Sequence, residues 1–135
     1  MSQKIKSISE VTARLVLGLI FLIFGLNYFL HFLPMPPQSG GAAESFTTGL
    51  FLSGYFFPFL KALEVLIGIA LLARLLVPLV LVILMPITIN ILLFHLFLTD
   101  SVMMSAVILG LHLYLAWGYR DYYRPLLTAK GLVRL

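Results

Sequence analysis

The chain contains no cysteine, so no disulfide, thiolate metal site or cysteine redox relay can form within it. Any redox chemistry has to come from a bound group or a partner. Charge is scarce as well: 10% of the 135 residues are Asp, Glu, Lys or Arg, against 61% hydrophobic. So little polar sequence cannot cover a water-soluble core, and the composition is that of an integral membrane protein. There is no phosphate-binding glycine loop, no HExxH pair and no GxSxG elbow, which leaves the common soluble-enzyme chemistries without their residues.

What is present is apolar sequence in long runs. Crossing a bilayer takes roughly 20 apolar residues at about 1.5 Å each. Four stretches qualify, at about 11–33, 57–73, 78–98 and 101–119. The expected fold is an all-α membrane protein, a four-transmembrane-helix bundle forming a single domain over 1–135, with a short basic tail from 120 to 135. The first run follows Lys4, Lys6 and Arg14 but is too long for a signal peptide and has no small-residue cleavage site, so it is expected to be a retained helix. Prolines and glycines in "PMPPQSGG" end it. Pro78 suits an early helical position in the third span, and "TD" alone separates the third from the fourth, which calls for a tight antiparallel hairpin. The stretch "ESFTTGLFLSGYFF" from Glu44 is apolar but interrupted by Gly49 and Gly54. It is expected to be an interfacial or partly re-entrant segment between helices 1 and 2, with a loop carrying apolar anchors as the plainer alternative.

The net charge of +4 reflects where the basic residues fall. Lys4, Lys6 and Arg14 flank the first span, Arg74 separates the second and third, and Arg120, Arg124, Lys130 and Arg134 follow the fourth. Between Pro34 and Phe59 there is no Lys or Arg. This pattern orients a multi-pass protein with both termini cytoplasmic and gives no reason to expect nucleic acid; the lipid bilayer is the expected partner. Four spans are few for a transporter, so a transport reading would need a homo-oligomer.

Polar residues inside the spans are the candidates for function, because an unpaired amide, imidazole or carboxylate in hydrocarbon costs several kcal/mol by rough reckoning. Counted from the outer ends of their helices, Asn27, Glu64 and Asn90 fall in one layer roughly 9 to 12 Å deep. His31, Lys61 and His95 lie nearer the outer surface, and His112 is deeper. Asn27 and His31 share one helical face; Lys61, Glu64 and Gly68 share another; Ser105, His112 and Tyr119 repeat every seven residues. Together they outline a polar pocket opening outward. Asn90 and His95, five residues apart, point about 140° from each other on an ideal helix, so both cannot face one axis. Pro86 can kink that helix, and the expectation is that Asn90 faces the pocket while His95 packs beside it or meets the interface.

Each residue also has a packing alternative. Asn27 and Asn90 suit interhelical hydrogen-bond glue, Lys61 and Glu64 an intrahelical ion pair with a snorkelling lysine, and the histidines ordinary packed positions. Glu64 is the sharpest candidate, because a carboxylate at that depth has to be paired, protonated or functional. Nothing in the spacing of His31, Glu64, His95 and His112 demands a metal. A bis-histidine haem between His95 and His112 is disfavoured by a depth difference of roughly 10 Å. A quinone fits better: its carbonyl oxygens need hydrogen-bond donors and a proton source, and its ring and tail need apolar walls.

At these positions the sequence resembles the DoxX-like family of small bacterial membrane proteins. The likeness runs from about Arg14 to Tyr123 and includes "RLVLGLIFLIFGLNYF", "GLFLSGYFFPFLKALEVLIGIALL" and "LMPITINILLFHLFL", with Lys61, Glu64, Asn90, Phe94 and His95 as its core. The resemblance implies a four-helix protein of the bacterial inner membrane. The family name is tied to membrane subunits of thiosulfate:quinone oxidoreductase, which implies a soluble or membrane redox partner. The resulting expectation is a quinone-interacting or accessory subunit in which Glu64 exchanges protons, Lys61 tunes it, Asn27, Asn90 and His95 orient the ligand, and His31 and His112 are secondary candidates. The alternative is a non-catalytic membrane scaffold or assembly protein whose polar residues fix helix packing.

Overall fold

The computed structural model describes residues 3–35, 37, 40–128 and 131. Pro36, Gln38 and Ser39 of the expected breaker stretch, and Lys130 and Arg134 of the basic tail, lie outside the described residues. The described chain is all helical: α1 (Gln3–Leu30), α2 (Gly41–Leu52), α3 (Phe56–Leu72), α4 (Val77–Leu98), α5 (Met103–Gly118) and α6 (Arg120–Tyr123), closed by a 3-10 turn at Arg124–Leu127.

Among the described residues two helices are long and apolar enough to cross a membrane, Lys6–Leu30 within α1 and Val77–Leu98. A third span is available if α2 and α3, bent by 90° at their junction, count as one broken span, whereas α5 is a shorter apolar helix. The expected second and fourth spans therefore exist as helices but are 17 and 16 residues long. The exposed surface is rich in Leu, Ile, Val and Phe along α1, α3 and α4, which is membrane-protein character.

Local chemistry explains the boundaries. α1 starts well before the apolar run because nothing from Lys4 to Glu10 breaks a helix; hydropathy marks where lipid begins, not where the helix does. It ends at Leu30, before Pro34. His31 turns into the left-handed region (φ 53°), and the freed Leu33 N–H donates to the Asn27 side-chain oxygen at 2.7 Å. Gly49, expected to interrupt the segment before α3, lies inside α2, since one glycine costs a helix only about 1 kcal/mol relative to alanine. The break falls at Gly54, whose φ of 80° suits glycine alone.

α1 packs along most of α3, α4 forms an antiparallel hairpin with α5, and α5 also meets α1; α3 meets α4 over a much shorter stretch. The α1–α3 seam depends on small residues. A Cβ added at Gly68 would lie 2.6 Å from the Leu22 backbone nitrogen and 2.8 Å from the Gly18 oxygen. One added at Gly25 would lie 3.1 Å from the Lys61 carbonyl. The apolar core centres on Leu17, Leu71, Leu81, Leu84 and Leu115. At the end of the bundle where α3 finishes, Arg14 donates to the Leu71 and Leu72 carbonyls, and Tyr123 donates to the Pro78 carbonyl at 2.9 Å.

Candidate functional site

The opposite end, where α1 stops, α3 begins, α4 stops and α5 begins, holds a cavity of about 770 Å³. His31, Lys61 and His95 line it, so three of the expected polar residues share one space. Its walls are Tyr28 and Phe57 from α1 and α3, whose ring centroids are 6.2 Å apart, and Phe94 from α4. α2 covers one side with Glu44, Thr47, Thr48 and Phe51. Phe46 packs against Phe94 at 5.8 Å between centroids and ties this cover to α4. The spacing of Glu44, Thr47, Thr48 and Phe51 is one face of a helix and was available in the sequence, but it carries no signal until Gly49 is accepted as helical.

Lys61 Nζ donates to Glu64 Oε2 at 2.9 Å, one turn apart on α3. Lys61 is partly open to the cavity while Glu64 is buried, at 22% and 4% side-chain exposure. Glu64 does not face the same space. It lines a separate cleft of about 190 Å³ between α3 and α4, together with Pro86 and Asn90. The ion pair therefore stands between two cavities, its ammonium on the wall of the larger and its carboxylate on the wall of the smaller.

The expectation for α4 is reversed. His95 lines the larger cavity, and Asn90 lies with Pro86 on the exposed side of the helix, in the cleft beside Glu64. The 140° separation allowed either choice. The short α3–α4 seam decides it, because it leaves the Asn90 face uncovered while the turn into α5 carries the His95 face over the cavity. Asn27, level with Glu64 along its helix, is directed elsewhere: it is buried, and its oxygen holds the turn after α1.

His112 is fully buried and joins α5 to α4. Its Nε2 is 2.8 Å from the Leu81 carbonyl, which can only accept, so Nε2 carries the hydrogen and Nδ1, 2.8 Å from Thr88 Oγ1, accepts from the hydroxyl. Leu81 and Thr88 flank Pro86, whose missing N–H leaves the Val82 carbonyl without its helical partner. His112 thus braces α4 across its weakest point, and neither nitrogen is free to ligate iron. Among the described residues no three His, Asp or Glu side chains converge as a metal site. No protein-family model, curated protein or solved structure matches this chain.

Proposed function

We propose that this chain is a DoxX-like protein of the bacterial inner membrane, with four spans formed by α1, α3, α4 and α5 and both termini cytoplasmic. It interacts with a quinone as part, or as an accessory subunit, of a membrane redox process. The basic residues near Lys4, Arg74 and Arg120 then mark the cytoplasmic side, and the 770 Å³ cavity opens on the other. The carrying observation is Lys61, paired to Glu64, on the wall of a cavity that Tyr28, Phe57 and Phe94 also line. The aromatic walls suit a quinone ring and the ammonium suits its carbonyl oxygen, while Glu64, reached through Lys61, is the group placed to exchange protons.

In this reading Lys61 and His95 touch the ligand, His31 lies at the mouth, and Asn27 and His112 hold the bundle around it. The scaffold alternative draws its support from His112, whose two hydrogen bonds to the protein leave neither ring nitrogen for a ligand, and from Asn27, whose oxygen holds the turn after α1.

The test is mass spectrometry of the organic extract from protein purified in mild detergent, comparing wild type with Thr48→Trp, which fills the cavity from α2. Near-equimolar quinone in the wild type, lost in a folded Thr48→Trp protein, is expected. Equal trace amounts in both, from membranes rich in quinone, would remove the reading in favour of the scaffold.

A further inference from the structure

The three histidines differ in what they still have to offer. His112 has both nitrogens engaged by the protein. His31 is exposed and stands in a left-handed turn, with no side-chain hydrogen bond among the described residues. His95 is intermediate, and its state is set by its own helix. Its Nδ1 lies 2.8 Å from the Ile91 carbonyl one turn earlier. A carbonyl oxygen accepts and cannot donate, so Nδ1 carries the hydrogen. In the neutral ring the lone pair is then on Nε2, and no described residue donates to it.

Packing holds this arrangement. Phe94 meets the imidazole edge to face, with centroids 5.4 Å apart and planes at 80°, and Thr99 Oγ1 donates to the His95 carbonyl at 3.0 Å, pinning the last turn of α4. The cavity wall therefore presents two complementary groups. Lys61 has one hydrogen on Glu64 and others to give, whereas His95 offers an acceptor.

An oxidised quinone ring carries only carbonyl oxygens at its redox positions, which answer Lys61 but leave the His95 lone pair opposite another lone pair. The reduced ring carries hydroxyls, which accept from lysine and donate to imidazole. We propose that the cavity selects the reduced, hydroxyl-bearing form of its aromatic ligand, a hydroquinone, with His95 Nε2 as the acceptor that makes the distinction. This rests on the quinone reading above and adds to it the oxidation state that the site prefers.

Equilibrium binding of tetramethylhydroquinone and tetramethylbenzoquinone to the full chain in mild detergent, under anaerobic conditions, tests it. Because an acceptor that the ligand covers without pairing is costly, the wild type is expected to prefer the hydroquinone by about tenfold. His95→Leu should bring the ratio close to that set by the probes alone, with benzoquinone affinity kept or raised. Comparing variants cancels the different cost of taking the two probes out of water. Should His95→Leu fold poorly, His95→Gln serves in its place, since an amide can turn either its oxygen or its N–H₂ to the ligand and should flatten the preference. Equal binding of both probes by the wild type, or a preference unchanged in the His95 variants, overturns the role of His95 and leaves the quinone reading standing. Binding of neither probe overturns both.

Discussion

Gly68→Ala is the smallest change with the largest expected effect on this fold. The added methyl would lie 2.6 Å from the Leu22 backbone nitrogen and 2.8 Å from the Gly18 oxygen, and backbone atoms cannot swing aside as a side-chain end can. Alanine gains about 1 kcal/mol over glycine in helix propensity, while overpacking a well-fitted interface costs about 1–3 kcal/mol. Two backbone contacts under 3 Å place Gly68 at the upper end of that range, for a net loss of about 1–2 kcal/mol. Gly110 on α5 is the matched control, because a Cβ there meets nothing within 4 Å, so Gly110→Ala should gain close to 1 kcal/mol. Thermal unfolding in mild detergent compares the two directly, and Gly68→Ala should melt several degrees below Gly110→Ala. If Gly68→Ala melts at or above the control, α1 and α3 are not held as closely as described. The positioning of Lys61, whose carbonyl lies against Gly25 on the same seam, would then lose its explanation.

The Lys61–Glu64 pair makes a second prediction: Lys61→Met leaves a buried carboxylate unpaired and should cost about 3 kcal/mol, whereas Lys61→Met with Glu64→Leu removes both charges and should recover most of it. A double-mutant cycle in unfolding measures the coupling, and additive losses would mean that the pair is not formed in the folded protein. His112→Leu should cost about 1–3 kcal/mol by removing the hydrogen bonds to the Leu81 carbonyl and the Thr88 hydroxyl that tie α5 to α4 on either side of Pro86, while leaving the quinone extracted with the folded protein unchanged. Loss of quinone from a folded His112→Leu protein would place His112 in the site instead of behind it.

Much of the helical layout is legible in the sequence because hydropathy and helix breakers act over several residues. The 78–98 stretch reappears as Val77–Leu98, and the two-residue "TD" link becomes the α4–α5 hairpin. Single-residue signals serve less well. Gly49 and Gly54 look equivalent in the sequence, yet only Gly54 takes a positive φ, since what separates them is the 90° bend that packing imposes. The glycine seam is equally hidden: Gly18, Gly25 and Gly68 stand among ordinary apolar residues, and only the partner backbone makes them indispensable. Arg14, assigned to orientation from charge alone, also ends α3 by binding its last carbonyls.

The candidate site shows why depth along a helix is a weaker guide than the state of each polar group's hydrogen bonds. Asn27, Glu64 and Asn90 share a layer by residue count, but Asn27 holds the α1 turn, whereas Glu64 and Asn90 line the α3–α4 cleft, Glu64 with its carboxylate on Lys61. His95 and His112 are both imidazoles on the α4–α5 hairpin, yet His112 has spent both nitrogens on the protein and His95 only one. A polar group saturated by its own chain stabilises the bundle, and a ligand would have to break a hydrogen bond to reach it. A group held at one atom and open at another is already oriented and still has capacity, which is the condition for recognition without reorganisation. On that criterion Lys61 and His95 are the groups fit for the proposed site and His112 belongs to the frame, while Asn27, held at its oxygen alone, is set apart by its place at the α1 turn, off the cavity wall. The composition of the α4–α5 hairpin cannot make this division, because it depends on which carbonyls the fold leaves within 3 Å of each ring.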